Sequence, residues 1–418
     1  MNLKTQLLQI AENAKQASRK LAALKSQQKN QILLAMAESL LAHEKTILEA
    51  NSKDVEKAKR SNISPPLLDR LQLSSQRILA MAEGMRRVSQ LADPIGSLLE
   101  EKILVSGLIL KKMRVPIGVI AIIYESRPNV TADVSSLCLK TANAVILRGG
   151  SDAFYSNQAI SSALSLGGEK AGLPLHAIQM ITTTEHDAVN ILVSLEGKID
   201  LVIPRGGEKL IQQVVDHAKV PIIKHYKGIC HIYVDVYADQ ESALKIIDNA
   251  KCQRPGVCNS VETVLIHEAI ASQFLPQLVA TLQRKQVEVR ADEEARRIIP
   301  DLMLATEQDW FSEYLDLIVS VKIIPNIQTA IDHINYYGSH HSDAIISNDI
   351  SAQQQFTNQV DSAVVYVNAS TRFTDGEQFG MGAEIGISTD KLHARGPMGL
   401  EELSTYKYVV YGQGQIRE

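Results

Sequence analysis

The run Val119-Ile120-Ala121-Ile122-Ile123 is short and apolar at every position, which is typical of a strand buried on both faces of a parallel sheet. A stretch of helical character over 130–142 follows it. A second apolar run, Ala144-Val145-Ile146-Leu147, follows the helix. Strand, helix and strand in this order form a right-handed βαβ unit. This part of the chain therefore predicts an α/β fold built on a parallel sheet.

The alternation of apolar runs and helical stretches continues along the chain. Predicted strands lie at 176–181, 201–203, 221–223 and 232–234, and predicted helices at 152–171, 184–196 and 207–218. A second block has predicted strands at 261–267, 286–290, 318–324, 343–347 and 363–367, and predicted helices at 240–252, 269–284, 327–336 and 350–358. Helices of this length between apolar strands cover both faces of a parallel sheet. The sequence therefore predicts two doubly wound α/β domains.

Three segments differ from this alternation. Residues 1–95 carry apolar residues at helical spacing, with a new helix predicted to start in the Pro65-Pro66 dipeptide. Residues 103–114 predict a β-hairpin around Ser106-Gly107, and Tyr406–Tyr411 predicts a short strand. Because neither has an evident sheet of its own, we expect the hairpin and the strand to pair across a subunit interface.

The composition excludes several classes of function. The chain has 418 residues and a formal net charge of -4, so it lacks the basic field that binds nucleic acid. One Trp and six Phe are too few for a surface that stacks bases. Four cysteines with no pair at metal-ligand spacing predict neither a disulfide framework nor a zinc site. With no signal-peptide pattern and no long apolar run, we expect a cytoplasmic protein without membrane contact.

Two predicted strands end in glycine loops that lead into helices. The loops are Arg148-Gly149-Gly150-Ser151 and Pro204-Arg205-Gly206-Gly207. Backbone N–H groups at the start of a helix, beside an arginine, form a reasonable phosphate site. The alternative is that the glycines only make tight turns, but two such loops in one sheet favour a nucleotide. No G-x-G-x-x-G follows these strands, so the usual dinucleotide fingerprint is absent.

Cys258 lies between the predicted helix 240–252 and the predicted strand 261–267. The Arg254-Pro255-Gly256 break ends the helix and places the cysteine at a turn. Such a position suits a nucleophile that a substrate must reach. The alternative is a buried cysteine that packs as a small apolar side chain.

The residues after this cysteine resemble a known family. Cys258 with Asn259-Ser260-Val261-Glu262-Thr263 resembles the nucleophile segment of the aldehyde dehydrogenase superfamily. The segments 330–345, 380–389 and 395–403 narrow the resemblance to the family within it that reduces γ-glutamyl phosphate, and the resemblance covers essentially the whole chain. It implies an aldehyde dehydrogenase-like α/β fold with a cofactor-binding domain (1–102 and 115–228), a catalytic domain (229–368), an oligomerisation element of hairpin and C-terminal strand (103–114 and 390–418) and a glycine-rich loop near the active site (369–389).

The resemblance also implies an activity in proline biosynthesis. It implies that NADPH reduces L-glutamyl 5-phosphate to L-glutamate 5-semialdehyde, with release of phosphate and a thioester on Cys258. It further implies a homo-oligomer, dimer or larger, with glutamate 5-kinase as a candidate partner. Two alternatives stay open: another NAD(P)-dependent aldehyde dehydrogenase that works oxidatively, and a non-catalytic nucleotide-binding protein on the same fold.

The resemblance implies roles for residues outside the cysteine segment. Asn129 matches the asparagine that stabilises the oxyanion, although an asparagine there would also suit a helix N-cap. Arg148 matches a position near the adenosine ribose, where it could pair with a 2′-phosphate; its alternative is a solvated surface arginine. The residues expected along the cofactor are Gly149, Gly150, Pro204, Gly206, Gly207 and Glu313, the last of which matches the glutamate that holds the nicotinamide ribose.

One departure from most of the superfamily bears on the direction of the reaction. Where its members carry a glutamate base, this chain reads His225-Tyr226-Lys227-Gly228. An enzyme that acts on an acyl phosphate needs no base to activate water, so the missing glutamate favours this reaction, with His225 as an alternative base. Four residues beside the motifs are candidate binders of substrate anions, although each could be structural: Arg127, Arg254, His340 and His341. No metal is expected, because no partner carboxylates or thiols accompany the histidines.

Overall fold

The structure is a computed structural model, and it describes residues 2–61, 63, 65–224 and 227–417. The helices are α1 (Leu3–Leu21), α2 (Ser26–Ala42), α3 (Glu44–Arg60), α4 (Pro65–Leu71), α5 (Ser75–Gln90), α6 (Asn129–Lys140), α7 (Phe154–Lys170), α8 (Asp187–Val193), α9 (Glu208–His217), α10 (Gln240–Cys252), α11 (Glu268–Gln283), α12 (Glu293–Ile298), α13 (Glu307–Trp310), α14 (Ile327–Tyr337) and α15 (Ile350–Gln359), with a 3₁₀ helix at Thr371–Phe373.

The strands are β1 (Leu98–Ile103), β2 (Ile109–Pro116), β3 (Val119–Tyr124), β4 (Ala144–Gly149), β5 (Ile178–Met180), β6 (Leu201–Arg205), β7 (Cys230–Val234), β8 (Val261–His267), β9 (Glu288–Ala291), β10 (Met303–Leu304), β11 (Ile318–Ile324), β12 (Ser342–Ile346), β13 (Val364–Val367), β14 (Gly386–Ser388), β15 (Gly396–Met398) and β16 (Ser404–Tyr411).

The chain folds into two compact units. The first unit comprises Met1–Lys224, Gly380–Gly386 and Met398–Glu418. The second unit comprises His225–Phe379 and Ile387–Pro397. Each unit has a parallel sheet of its own.

The first unit contains the parallel sheet predicted from the apolar runs. Its strand order is β5-β4-β3-β6, and every residue of β3 is buried, as expected for a strand covered on both faces. The strand predicted at 221–223 is wrong, because Ile222 forms only an isolated bridge with Val202. Pro221 has no N–H to donate, which is one reason why a longer ladder does not form there.

Two other predictions in the first unit were too long. The strand predicted at 176–181 is reduced to Ile178–Met180, since His176 has a φ of 67° and cannot extend it. The helix predicted at 184–196 is reduced to Asp187–Val193. In contrast, the helix predicted at the Pro65-Pro66 dipeptide is confirmed, and it begins at Pro65.

The hairpin and the C-terminal strand form one antiparallel sheet in the order β1-β2-β16. Residues 104–108 are its turn, where the Leu104 N–H donates to the Leu108 carbonyl at 2.8 Å, so the hairpin strands extend further from the turn than predicted. β16 pairs with β2 of the same chain, from Ser404 opposite Pro116 to Tyr411 opposite Ile109. The expectation that these two segments have no sheet of their own is therefore wrong, and their pairing with another chain stays a prediction.

The second unit is a doubly wound parallel sheet with the strand order β10-β9-β11-β8-β7-β12-β13. Neighbouring residues of β8 point to opposite faces: Val264 packs in the cluster that contains α10 and α11, and Leu265 in the cluster that contains α14 and α15. The two apolar clusters therefore cover both faces of β8. The short elements α12, β10 and α13 were missed, because two to six residues give too little periodicity to detect.

Candidate active site

Cys258 lies in the loop that joins α10 to β8, and we call residues 253–260 the nucleophile loop. The Cys258 side chain is half-buried. The parallel strands β7, β8 and β12 begin at the same edge of the sheet, and the nucleophile loop lies at this edge. Cys230, the first residue of β7, is buried, and its thiol donates to the Cys258 carbonyl at 3.3 Å. Burial raises the pKa of Cys230 well above its usual value, so that thiol stays protonated and able to donate.

Gly228 lies against the backbone of Cys258. A Cβ atom at position 228 would collide with the Cα, carbonyl carbon and carbonyl oxygen of Cys258. The next residue, Ile229, donates its N–H to Ser339 Oγ at 2.8 Å, which fixes this segment from the other side. The close approach of two backbones explains why the position is a glycine.

The nucleophile loop is held by residues around the 3₁₀ helix. The Asn259 side chain donates to the Thr374 carbonyl at 2.8 Å, and the Asn259 carbonyl accepts from Thr371 Oγ1 at 2.7 Å. The Arg372 guanidinium donates to Asn259 Oδ1 and, through Nε, to Gln253 Oε1 at 2.9 Å. The loop is thus bound on both sides of the cysteine, which limits the positions that the thiol can take.

A buried ion pair joins the two ends of the nucleophile loop. Lys251, near the end of α10, and Glu262, at the start of β8, lie 2.6 Å apart and are both 0% exposed. Burial lowers the pKa of Lys251 and raises that of Glu262, while the attraction between the two charges acts against both changes. The pair therefore holds the helix end and the strand start together beneath the loop.

The candidate substrate-binding residues of the second unit have different surroundings. His341 is 0% exposed, and burial lowers its pKa to about 4, so it carries no charge at neutral pH. A neutral histidine is a poor anion binder, and this disfavours its predicted role. His340 has a φ of 59° and donates through Nδ1 to the Asp361 carbonyl at 2.6 Å, which is a structural contact. Arg254 is exposed in the nucleophile loop, where it can reach a ligand.

Glu313 lies in the loop between α13 and β11. Leu315 in the same loop has a φ of 55°, and its carbonyl packs against Gly256 of the nucleophile loop. The negative charge of Glu313 also helps to raise the pKa of Glu262. The structure therefore brings the Glu313 segment beside the nucleophile loop, and its contact with the nicotinamide ribose stays a prediction.

In the first unit, Asn129 is the first residue of α6, and its side chain is exposed. Its Nδ2 donates to Asp133 Oδ2 at 2.9 Å. Pro128 holds the N-cap position, so the alternative of Asn129 as an N-cap is wrong. Burial raises the pKa of Asp133 to about 6, and the Asn129 hydrogen bond opposes this rise. Arg127 is also exposed in the segment before α6.

Arg148 is buried with only 7% of its surface exposed, so the alternative of a solvated arginine is wrong. Its guanidinium makes long hydrogen bonds to the carbonyls of Gly149, Glu185 and Thr184 at 3.2–3.5 Å. Its Nε has no hydrogen-bond partner among the described residues. Burial lowers the pKa of Arg148, whereas the carboxylates of Glu125 and Asp152 raise it. A buried cation with weak partners suits an incoming anion.

The second glycine loop already holds an anion from the protein itself. The Gly207 N–H, at the N-terminus of α9, donates to Glu125 Oε2 at 3.0 Å. A Cβ atom on Gly206 would collide with this same carboxylate, and one on Gly150 would collide with Asp152. Pro204 lies within β6 and leads into this loop. A helix start that binds a carboxylate, near glycines that leave no room for a side chain, fits a nucleotide phosphate.

Several residues of the site were missed by sequence reasoning. Arg372 is 113 positions from Asn259, and no spacing pattern links the two. Asp133 follows Asn129 by one helical turn, so an i, i+4 search of the predicted helix would have found it. Cys230 and Glu125 gave no such signal. The predicted alternative base, His225, lies outside the described residues.

Within residues 2–61, 63, 65–224 and 227–417, no group of three His, Cys, Asp or Glu side chains is arranged to hold a metal ion. The four cysteines, all of which are described, form no disulfide. None of the described helices combines the length and apolar character needed to cross a bilayer.

Known proteins similar to this chain point to one family. Residues 3–299 match the family model described as the aldehyde dehydrogenase family. The γ-glutamyl phosphate reductase of Caldanaerobacter subterraneus is 56% identical over 408 residues, which cover 98% of this chain and 99% of that protein. The one from Carboxydothermus hydrogenoformans is 52% identical over 412 residues and covers 99% of each chain.

Solved structures agree with the sequence comparison. The crystal structure of γ-glutamyl phosphate reductase from Thermotoga maritima has a TM-score of 0.97 and 47% identity, and the match covers 99% of this chain and 100% of that one. An acetylating aldehyde dehydrogenase from Geobacillus thermoglucosidasius, at 17% identity and a TM-score of 0.70, shares the fold. The chain therefore belongs to the aldehyde dehydrogenase family and, within it, to the γ-glutamyl phosphate reductases.

Proposed function

We propose that this protein reduces L-glutamyl 5-phosphate to L-glutamate 5-semialdehyde with NADPH and releases inorganic phosphate, a step of proline biosynthesis. The observation that carries the proposal is the half-buried Cys258 in a loop bound on both sides, in a chain 56% identical to a γ-glutamyl phosphate reductase. A positioned thiol of this kind suits transfer of an acyl group.

The Cys258 thiolate attacks the acyl carbon of the substrate. A C–S bond forms, the C–O bond to phosphate breaks, and phosphate leaves with the bonding electron pair, so that a thioester remains on Cys258. NADPH, when bound, supplies the hydride that reduces the thioester. The Cys258 sulfur then leaves as the aldehyde forms. The Asn129 amide donates to the oxygen that becomes negative in these steps.

The residues that would hold the cofactor fit an anionic ligand. The buried, weakly paired Arg148 would bind the 2′-phosphate, and the start of α9 would bind the pyrophosphate in place of Glu125. The other residues proposed along the cofactor are Gly149, Gly150, Pro204, Gly206, Gly207 and Glu313.

The direction of the reaction is supported by the segment before β7. Its described part, Lys227-Gly228-Ile229, carries no carboxylate that could activate water. An oxidative aldehyde dehydrogenase must hydrolyse its thioester and needs such a base. Phosphate, by contrast, is a good leaving group and, in reverse, a ready nucleophile. Reduction of an acyl phosphate therefore needs no general base in this segment.

The test is the reverse reaction: reduction of NADP⁺ by glutamate 5-semialdehyde with and without inorganic phosphate. We expect NADP⁺ reduction to depend on phosphate and to saturate with it. A rate that is independent of phosphate would support the oxidative alternative, and no NADP⁺ reduction at all would support the non-catalytic one.

Replacing Asn129 with alanine is expected to lower kcat by roughly 10²–10³, because a donor to the oxyanion is lost. The KM for NADPH should stay near that of the wild type. Steady-state kinetics measure both. As a control, Asn326 caps α14 by accepting from the Thr329 N–H. Asn326→Ala should cost about 1 kcal/mol of stability and leave kcat unchanged. A change of less than threefold in Asn129→Ala would refute the oxyanion role.

Replacing Arg148 with alanine is expected to reduce the preference for NADPH over NADH by roughly tenfold or more, because the charge-assisted contact to the 2′-phosphate is lost. The ratio of kcat/KM for the two cofactors measures the preference. Arg19→Ala, at an exposed site on α1, serves as the control and should not change the ratio. An unchanged ratio in Arg148→Ala would contradict the assignment.

Association with other chains is a further part of the proposal. The sheet β1-β2-β16 exposes apolar side chains, among them Ile103, Tyr408 and Val410 at 78%, 54% and 51% of their surfaces. Apolar surface of this kind favours burial against another chain. We expect a cytoplasmic homo-oligomer, dimer or larger, formed through this sheet, and glutamate 5-kinase as a candidate partner that supplies the acyl phosphate. Light scattering on Tyr408→Lys would show a smaller species.

A further inference from the structure

Arg372 is fastened to the nucleophile loop on both sides of Cys258. Its Nη1 donates to Asn259 Oδ1, one residue after the cysteine, and its Nε donates to Gln253 Oε1 at 2.9 Å. It lies in the 3₁₀ helix Thr371–Phe373, which Thr371 ties to the Asn259 carbonyl. The guanidinium is therefore held in one place beside the nucleophile rather than left mobile on a long side chain.

Part of this guanidinium is available to a ligand. Arginine has five N–H donors in a planar fork. Among the described residues, Nη2 of Arg372 has no hydrogen-bond partner. The side chain is half-buried, so its remaining donors are neither fully solvated nor enclosed. Such donors can bind an anion with little loss of rotamer entropy, since the fork is already fixed.

The charges around Arg372 also favour an anion. Burial and the positive charge of Arg254 lower the pKa of Arg372, whereas the charges of Cys258 and Asp375 raise it. Two like charges close together beside a nucleophile cost free energy unless an anion lies near them. The Cys258 thiolate is one such anion, and a cation beside a thiol favours the thiolate. The phosphoryl group of an acyl phosphate is a second anion that could lie near the two arginines.

We propose that Arg372, together with Arg254, binds the phosphoryl group of the acyl phosphate beside Cys258. The inference rests on the proposed function. While the thiolate forms the C–S bond and the C–O bond to phosphate breaks, the two guanidinium groups offset the charge on the departing phosphate. In the reverse direction they hold inorganic phosphate for attack on the thioester. No electrons pass to or from a cofactor in this step.

The test uses inorganic phosphate as the probe, in the reduction of NADP⁺ by glutamate 5-semialdehyde. In Arg372→Gln we expect the apparent KM for phosphate to rise by roughly 10–100-fold, the range typical of a lost charge-assisted hydrogen bond. The KM values for NADP⁺ and for the aldehyde should stay within about threefold of wild type. A phosphate KM within twofold of wild type, with a lowered kcat, would show that Arg372 only holds the loop, and would overturn the inference.

Two further variants keep the test decisive. Arg254→Gln changes an exposed residue, so it carries little risk to folding. It should also raise the KM for phosphate several-fold. An unchanged KM for phosphate in both Arg254→Gln and Arg372→Gln would overturn the inference. Arg284→Gln, at the exposed end of α11, is the matched control and should change nothing. If NADP⁺ reduction by the wild-type enzyme did not depend on phosphate, the proposed function itself would be overturned. The wild-type enzyme is therefore measured before any variant.

Discussion

Replacing Cys258 with alanine is expected to lower kcat by roughly 10⁴-fold or more, because no thioester can form without the sulfur nucleophile. The affinity for NADPH should stay within about twofold of wild type, since the residues proposed to hold the cofactor are unchanged. Initial-rate kinetics and a fluorescence titration with NADPH measure the two quantities separately.

Cys252 provides the matched control for this variant. It ends α10, is half-buried like Cys258, and has a pKa raised to about 11 by burial and by Asp248, so its thiol is protonated at neutral pH. Cys252→Ala should therefore keep nearly full activity. If Cys258→Ala retained more than a tenth of the wild-type rate, or if Cys252→Ala abolished it, the assignment of the nucleophile would be wrong.

Replacing Lys251 with methionine, or Glu262 with leucine, is expected to lower the free energy of unfolding by about 3–5 kcal/mol, because each single change leaves an unpaired charge in a fully buried site. The double variant Lys251→Met/Glu262→Leu should recover most of this loss, since both charges are removed together. Denaturant-induced unfolding of the single and double variants measures the coupling between the two residues.

An exposed ion pair of the same unit gives the comparison. Lys245 and Glu241 lie 2.6 Å apart at i, i+4 on α10, with 73% and 78% of their side chains exposed. Because water screens this pair, Lys245→Met should leave the free energy of unfolding nearly unchanged. Equal losses at the buried and the exposed pair would show that burial of Lys251 and Glu262 has no special cost.

The parallel sheets could be predicted from the sequence because strands that are buried on both faces are rich in apolar residues. Val119–Ile123 is apolar at every position, and the strand 261–267 is mostly apolar and of strand length, and both are central strands. The partner of the C-terminal strand could not be predicted. Pairing of β16 with β2 joins residues at distant positions, and an exposed strand with alternating side chains carries no mark of which edge it will meet.

The site was predicted in part. The position of Cys258 on a loop could be predicted from neighbouring residues, because they break the helix and form a turn. Cys230 reaches the same loop because the starts of the parallel strands β7 and β8 lie side by side, whereas Arg372 follows β13 and reaches it from the 3₁₀ helix. The rule that parallel sheets bind ligands beyond the carboxyl ends of their strands would have placed the nucleophile at the wrong edge, since Cys258 precedes β8. Side-chain contacts of this kind depend on the fold as a whole.

Gly228 has a consequence for the mutational tolerance of this enzyme. Its missing side chain is what allows the Cys258 backbone to lie where it does, so even alanine at position 228 would displace the nucleophile. In a saturation library, position 228 should therefore score as intolerant as the nucleophile, although it offers no group to the reaction. Fitness maps of this chain would then show two kinds of intolerant position: Cys258, whose side chain reacts, and Gly228, where any side chain would collide with the backbone of Cys258.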